Sequence, residues 1–216
     1  MKKNIVLFVL FVLPIVAYLF FASGVNSFTK LPTLTKSVNE LNFFESLDSQ
    51  KVVLKDQISI LGFGGSDLFA NRENIFNLNM KVYKRYHEFK KLQFVYLCPI
   101  GTEKDAEKIL VSLKSIVPVT EWKFIFATPD QITSFHKSLQ LKKDKLNENF
   151  GTPNVYLIDK ELNLRGRKVA NEKEYNEGYS TFHPSELSNV MLDDFKILLY
   201  EYRAALKKNK NAERRI

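Results

Sequence analysis

The stretch that decides the fold is ISILGFGGSD, residues 58–67. Its first part, Ile58–Phe63, is almost entirely apolar, which is the pattern of a buried strand. The four residues after it, GGSD, form a strong turn signal. Over Glu73–Phe89, apolar residues recur along one stripe at helical spacing. The sequence therefore predicts a strand, a tight turn and a helix.

Two further pairs of strand and helix are predicted downstream. Phe94–Cys98 has the pattern of a buried strand that Pro99 stops, and Trp122–Ala127 is another strand. Two helix starts show the spacing of a capping box, in which the side chains of the cap residue and of the residue three positions later bind each other's backbone N–H groups. These predicted boxes are Thr102 with Asp105 and Thr128 with Gln131.

The remaining elements complete a mixed sheet. Short strands are predicted at Asn42–Ser46 and Lys51–Leu54, and a later strand, Val155–Asp159, is expected to turn towards a partner at Leu162–Arg167. A final helix is predicted from Pro184 to about residue 206. Strands that alternate with helices and end in a hairpin predict an α/β fold with helices on both faces of a central mixed sheet. This order is thioredoxin-like topology.

The N-terminal segment predicts a membrane anchor. Asn4–Ala22 contains an uncharged apolar run of 18 residues, close to the ~20 that cross the hydrocarbon core of a bilayer. Lys2 and Lys3 precede it, and positive residues stay on the cytoplasmic side. The chain is therefore expected to be a single-pass protein of the cytoplasmic membrane, with its C-terminal domain on the periplasmic side. A cleaved signal peptide is the alternative, which the length of the apolar run disfavours.

Four segments are predicted along the chain. They are a membrane anchor over 1–24, a polar linker over 25–37, one domain over 38–206 and a basic tail over 207–216. The formal net charge of +8 is concentrated partly in that tail, which is either a solvated helix end or a segment that contacts anionic lipid headgroups. Nucleic-acid binding is not expected of a domain outside the cytoplasm.

In this order of elements, the chain resembles the SCO/SenC proteins. A lone N-terminal anchor, a linker, alternating strands and helices, Gly151, Thr152 and Pro153 ahead of the strand Val155–Asp159, and a long final helix carry the resemblance. It covers residues 40–205. It implies a thioredoxin-like fold and a role in cytochrome c oxidase assembly, where members of the family deliver copper or keep cysteines reduced.

The ligands that the family uses for copper are missing from this chain. The family's Cys-x-x-x-Cys motif would fall within residues 64–70, which contain no Cys, and its later His would fall on Gly151. Copper(I) requires soft thiolate or thioether ligands close together. His87, His136 and His183 show no paired spacing typical of a metal site. We therefore predict no metal, no cofactor and no catalytic residue.

The single cysteine, Cys98, leaves two interpretations open. It follows four strand residues of buried character, and free Cys is among the most buried residue types, so a core position is favoured. The alternative is a reactive thiol in a reductase or peroxidase, or an intermolecular disulfide. A reactive thiol requires a lowered pKa, which no nearby sequence feature predicts.

A candidate partner-binding face follows from the thioredoxin-like topology. The turn after Ile58–Phe63 lacks the Gly-Lys-Ser/Thr ending of a phosphate-binding loop. In thioredoxin-like folds this turn meets a second loop at one end of the sheet, and the proline of that loop is commonly cis. We expect the face to keep the shape of an active site without its reactive atoms and to bind a protein partner. Its predicted residues are Gly64, Gly65, Ser66, Asp67, Thr152 and Pro153.

Three functional hypotheses remain at this point. The first is a non-catalytic helper that binds a partner in respiratory oxidase assembly or envelope maintenance. The second is a thiol-dependent enzyme that uses Cys98, and the third is a structural envelope protein whose basic tail lies on the membrane surface.

The segment Glu174–His183 is predicted to be a loop that either covers the sheet edge or carries function through His183.

Overall fold

The structure is a computed structural model that describes residues 8, 10–16, 18, 30–42, 45–47, 49–168 and 175–213, with side chains up to residue 205. Much of the predicted anchor, the first part of the predicted linker and the side chains of the predicted basic tail lie outside the described residues. Across the described ranges, no helix is both long enough and apolar enough to cross a membrane.

Ten strands and six α-helical segments make up the described fold from residue 30 onward. The strands are β1 Thr33–Thr35, β2 Glu45–Ser46, β3 Ile58–Gly64, β4 Leu92–Pro99, β5 Trp122–Ala127, β6 Gly151–Ile158, β7 Leu164–Arg165, β8 Arg167–Lys168, β9 Tyr175–Asn176 and β10 Tyr179–Ser180. The helices are α1 Arg72–Leu78, α2 Lys84–Tyr86, α3 Glu103–Lys114, α4 Pro129–Ser138, α5 Pro184–Glu186 and α6 Leu192–Glu213.

The central sheet is mixed, with the strand order β1-β7-β6-β3-β4-β5-β2. β3, β4 and β5 are parallel to one another, whereas β6 runs antiparallel to β3. β10 pairs with β6, and β8 and β9 form a separate two-stranded ribbon. The carboxyl end of β3 therefore lies beside the start of β6, with Gly64 paired to Gly151.

Helices cover both faces of this sheet, because alternate residues of each strand point to opposite sides. On one face, strand residues such as Ile60 and Phe94 pack with residues of α1, α3 and α6, including Ile75 and Ile109. On the other face, Leu61 and its neighbours pack with residues of α4. The predicted α/β class and the mixed sheet covered on both sides are confirmed.

The two predicted capping boxes differ in outcome. At Thr128 the box is present, since the Thr128 hydroxyl accepts from the Gln131 backbone N–H and the Gln131 side chain accepts from the Thr128 backbone N–H. At Thr102 the prediction is wrong, because the Thr102 hydroxyl donates to the Pro99 carbonyl at 2.7 Å instead. The hydroxyl is therefore directed towards the Pro99 carbonyl and not towards the backbone N–H groups at the start of α3.

The predicted strand Lys51–Leu54 is not a strand in the structure. Val52 and Leu54 are buried as the alternating pattern suggested, but side chains bind the backbone here. The Leu54 and Lys55 N–H groups donate to the Glu40 carboxylate, and the Gln93 amide donates to the Val53 carbonyl. Of the predicted strand at Asn42–Ser46, Glu45–Ser46 form β2, whereas Asn42 lies in a turn.

Four further predictions need adjustment. β6 begins four residues earlier than predicted, at Gly151, and the described chain contains no cis peptide bond, so Pro153 is trans. The pairing with β3 shifts register here, since Gly62 pairs with Val155 and Phe63 with Thr152, so Pro153 lies at an irregularity in the strand pairing. The predicted hairpin partner at Leu162–Arg167 divides into β7 and β8, and the predicted loop at Glu174–His183 contains β9 and β10.

Two π-helical stretches each connect a pair of consecutive α-helical segments into one continuous helix. The stretch Asn79–Tyr83 joins α1 to α2, and Leu187–Met191 joins α5 to α6. The two stretches contact each other on one face of the sheet. Asn79 is fully buried in the first stretch, and its side-chain oxygen accepts a hydrogen bond from the Trp122 indole at 3.2 Å.

A buried ionic cluster, here called the clamp, fixes the beginning of the domain at one end of the sheet. Its residues are Leu31, Asp159, Arg165 and Glu201. The Arg165 guanidinium binds Asp159 at 2.9 Å and Glu201 at 2.8 Å, and it also donates to the Leu31 carbonyl. Glu201 in turn accepts from the Leu31 N–H at 2.7 Å. The clamp thus holds the backbone just before β1, which lies inside the segment predicted as a linker.

Candidate functional site

The structure brings the two halves of the predicted face together. Phe63 and Gly64, at the end of β3, pair with Thr152 and Gly151, at the start of β6. The Ser66 N–H donates to the Asn149 carbonyl at 2.8 Å, which ties the turn after β3 to the loop before β6. Gly65 has φ +72°, and a Cβ there would lie 3.1 Å from the Gly151 Cα. Glycine is required at this position both for the left-handed backbone and for the close approach.

An open cleft of about 330 Å³ lies at this junction. Of the predicted face, Gly64, Thr152 and Pro153 line the cleft, whereas Gly65, Ser66 and Asp67 form the turn beside it. The full lining consists of Phe63, Gly64, Leu68, Asn71, Asn74, Ile75, Tyr96, Asn147, Gly151, Thr152, Pro153, Ser180, Phe182 and His183. The cleft is hereafter defined by these residues. None of them is an aspartate, glutamate, lysine or arginine.

Tyr96 reaches the cleft from β4 by lying across β3. A Cβ on Gly62 would stand only 2.6 Å from the Tyr96 Cζ, so the glycine provides the space that the ring occupies. Tyr96 is 4% exposed. Burial raises the pKa of its phenol well above the usual value of about 10. The hydroxyl therefore stays neutral at physiological pH and can donate or accept a hydrogen bond.

The walls of the cleft carry uncharged polar groups and exposed apolar surface. Asn71 and Asn74 come from the start of α1 and the turn before it, and His183 comes from the segment after β10. Phe182 is 68% exposed and its ring contacts the His183 imidazole edge to face, with centroids 5.2 Å apart. The Asn147 side chain, by contrast, is used internally, because it accepts from the Asn149 and Gly151 N–H groups.

Sequence reasoning found the position of the cleft but missed several of its residues. Asn71, Asn74, Tyr96 and Ser180 are not among the predicted site residues, and the sequence leaves both interpretations of His183 open. One signal was present in the sequence. An isolated glycine inside a buried strand, here Gly62, indicates a close approach by another group, and that group is the Tyr96 ring.

Cys98 lies near the cleft but does not line it. The residue is fully buried, as predicted, and its sulfur would be 2.8 Å from a Cβ at Gly64. Burial raises the pKa of the Cys98 thiol far above its ordinary range. A reactive thiol needs both exposure and a lowered pKa, so the environment of Cys98 disfavours the thiol-enzyme hypothesis.

The residues at this end of the sheet do not fit copper or a redox-active dithiol. Gly151 stands where the resemblance places the copper-binding His, and it is paired directly with Gly64, at the start of the segment that should hold the cysteines. Two glycines offer no ligand atom in their side chains, and copper(I) requires soft donors. Among the described residues, no group of three or more His, Cys, Asp or Glu could hold a metal ion.

Comparison with known proteins supports the fold and does not identify the family. No protein-family model matches the chain, and no curated protein matches it in sequence. Solved structures do match. A putative protein disulfide isomerase from Bacteroides thetaiotaomicron has a TM-score of 0.53 at 11% identity, over 82% of this chain and 99% of that one. BsSco, a member of the Sco family of cytochrome c oxidase assembly proteins, has 0.52 at 16% identity, over 79% and 98%.

A third match is a putative electron transfer protein from Aquifex aeolicus VF5, with a TM-score of 0.50 at 14% identity over 78% of this chain and 98% of that one. At such identities these likenesses show the fold alone. The chain has a thioredoxin-like α/β fold and is structurally similar to Sco-family and thiol-disulfide proteins. The predicted fold and the structural side of the SCO/SenC resemblance are confirmed, whereas the role of the chain is a separate question.

Proposed function

We propose that the protein is a membrane-anchored docking domain that binds a protein partner in its cleft and performs no metal or thiol chemistry there. One observation carries this proposal. The cleft lies where thioredoxin-like proteins place their reactive groups, yet its lining consists of uncharged polar, aromatic and aliphatic side chains. Pockets of this composition bind ligands by shape and hydrogen bonding. The structural similarity to BsSco suggests respiratory oxidase assembly as the process, with envelope maintenance as the broader alternative.

The position of the clamp suggests how the domain is oriented relative to the membrane. Asp159 follows the residue that pairs with Ser59, so the clamp stands at the start of β3, while the cleft stands at its end. Residues 25–30 separate the predicted anchor from Leu31, and six residues span at most about 20 Å. If residues 1–24 anchor the chain, the clamp end of the domain stays near the bilayer. The cleft then opens away from the bilayer, towards a partner that projects into the same compartment.

Photocrosslinking in intact membranes tests the docking function. A photoreactive residue at Ser66, which is exposed beside the cleft, is expected to capture a reproducible partner that mass spectrometry identifies. A matched probe at Lys90, which is exposed on the loop before β4 at the other end of the sheet, should not capture that protein. Recovery of oxidase subunits or assembly factors would support the oxidase role. Equal capture by both probes, or none, would contradict docking at the cleft.

The membrane topology has its own test. The test uses a Cys98→Ala, Ser66→Cys variant in cells whose outer envelope is permeabilised and whose cytoplasmic membrane is intact. The cysteine at position 66 should react with a membrane-impermeant maleimide added from outside. Labelling only after the cytoplasmic membrane is broken would contradict the proposed location.

A further inference from the structure

Tyr96 differs from Tyr83, Tyr179 and Tyr202 in what its hydroxyl touches. The Tyr83 hydroxyl donates to the Pro118 carbonyl at 2.6 Å, and the Tyr179 hydroxyl donates to Asp194 at 2.7 Å. The Tyr202 hydroxyl binds Glu161 and the Lys160 N–H. Tyr96 has no hydrogen-bond partner in the described part of the chain, although 96% of its surface is buried (4% exposed). The hydroxyls of buried side chains are mostly paired within the protein, so the lack of a partner for this one requires an explanation.

The cleft supplies that explanation. Tyr96 is a lining residue, and its Cζ, which carries the hydroxyl, lies over Gly62 next to the start of β6. The Tyr156 hydroxyl is also without a partner at hydrogen-bonding distance, but it is enclosed on the opposite face of the sheet. The Tyr96 hydroxyl is not among the enclosed polar atoms, so its remaining exposure opens into the cleft.

The rest of the lining defines what the hydroxyl can recognise. Because no lining side chain carries a permanent charge, a charged ligand group would lose its hydration without an opposite charge to replace it. The Asn71 amide donates one hydrogen bond to the Asp67 carbonyl at 3.4 Å, which leaves its second N–H and its oxygen for a ligand, and Asn74 offers an amide donor and an amide acceptor. Phe182 stands exposed at the rim, where an aromatic side chain is a typical anchor of a protein interface.

We propose that the cleft takes an uncharged segment of a partner protein and that the Tyr96 hydroxyl, on its floor, donates a hydrogen bond to the side-chain amide carbonyl of an Asn or Gln in that segment. The asparagines of the wall pair with the same amide group, and Phe182 packs against the apolar flank. This inference rests on the proposed docking function and specifies its chemistry. Its two requirements are a neutral, amide-bearing segment and the Tyr96 hydroxyl.

Selection of random twelve-residue peptides on the full-length chain in detergent micelles tests both requirements. The enriched peptides are expected to be uncharged and rich in Asn or Gln. Their affinity for the Tyr96→Phe variant should fall about three- to tenfold, as loss of one neutral hydrogen bond predicts. The Tyr83→Phe variant removes a buried tyrosine hydroxyl that binds the Pro118 carbonyl outside the cleft, and it should bind the peptides as the unmodified chain does. Phe182→Ser should weaken binding as well.

Enrichment of acidic or basic peptides, enrichment of none, or an unchanged affinity of Tyr96→Phe would overturn the inference. Failure of the docking function is seen separately, in the Ser66 crosslinking experiment. Peptides that depend on Tyr96 without a crosslinked partner would keep the cleft chemistry and reject the envelope partner. A crosslinked partner whose capture is equal in Tyr96→Phe and the unmodified chain would keep docking and reject the role of Tyr96.

Discussion

Polar side chains are paired with one another at one end of the central sheet and line an open cleft at the other end. At the clamp end, Arg165 satisfies two carboxylates and a backbone carbonyl, and all three of its acceptors belong to different parts of the chain. At the cleft end, the Tyr96 hydroxyl and the Asn71 and Asn74 side chains line an open volume. The clamp end uses its polar residues to join segments. The cleft end presents them to a ligand.

This difference separates stability from function within one small fold. A buried ionic group that lost its partners would be strongly destabilising, so the clamp is bound to be sensitive to substitution. An unpaired hydroxyl that opens into a cleft adds little to folding, since water replaces its partner. Substitutions at the clamp should therefore change stability, whereas those in the cleft should change binding with little change in stability. Two predictions test this contrast directly.

The largest effect is expected for Arg165→Met. This change leaves Asp159 and Glu201 buried without their cation and should lower the free energy of unfolding by about 3–5 kcal/mol. Urea unfolding of the full chain in detergent, followed by the fluorescence of Trp122, measures it. Lys196→Ala is the control, because it removes an ion pair with Asp193 whose two side chains are more than half exposed, and such pairs contribute about 1 kcal/mol or less. Similar losses in both variants would mean that the ion pairs of the clamp contribute no more to the free energy of unfolding than an exposed ion pair does.

A second prediction compares the same hydroxyl deletion at two sites. Tyr179→Phe removes a hydrogen bond to Asp194, a buried carboxylate that also binds Arg167, and should cost about 1.5–3 kcal/mol. Tyr96→Phe should change the free energy of unfolding by less than about 0.5 kcal/mol. Thermal or urea unfolding of the two variants side by side measures the difference. A loss at Tyr96 as large as that at Tyr179 would show that the Tyr96 hydroxyl is a structural group.

Gly62→Ala tests how the cleft floor is built. The new methyl group would lie 2.6 Å from the Tyr96 Cζ, so the ring has to move, at a cost of about 1–3 kcal/mol for overpacking a core. In a Tyr96→Leu background the same change should cost much less, since the two residues are in contact and couple. A double-mutant cycle of unfolding free energies measures that coupling. Additive losses would mean that the glycine is needed for a reason other than the ring.

The sequence predicted well those features that depend on local patterns. The buried strands and the Thr128 capping box follow from apolar runs and from a short polar motif, and the structure has them. Thr102 has the same spacing as Thr128, yet its hydroxyl binds the Pro99 carbonyl. Lys51–Leu54 alternates like a strand, but Glu40 and Gln93 bind its backbone from distant positions. Local spacing does not show which of several competing partners a group will choose.

The cleft was predictable in position and less so in composition. Its place follows from topology, because the turn after β3 and the start of β6 must meet once the strands are antiparallel neighbours. Asn71, Asn74 and Tyr96 come from different elements, and only packing brings them together. The trans peptide bond before Pro153 was likewise not predictable from local sequence, because β6 begins before the proline, at Gly151, and includes it.

The pH dependence of stability that Cys98 causes separates the docking and thiol-enzyme hypotheses. An unfolded thiol ionises near pH 8.5, whereas burial raises the pKa of Cys98 in the folded chain. The folded state therefore binds more protons above that pH, and stability should fall as pH rises, by about 1 kcal/mol over the first unit. The Cys98→Ala variant should lack this component of the decline, which urea unfolding between pH 7 and 9.5 measures. A catalytic thiolate would have a lowered pKa and would make stability fall in the opposite direction, as pH decreases below 8.5, so the sign of the difference between the two chains decides between the hypotheses.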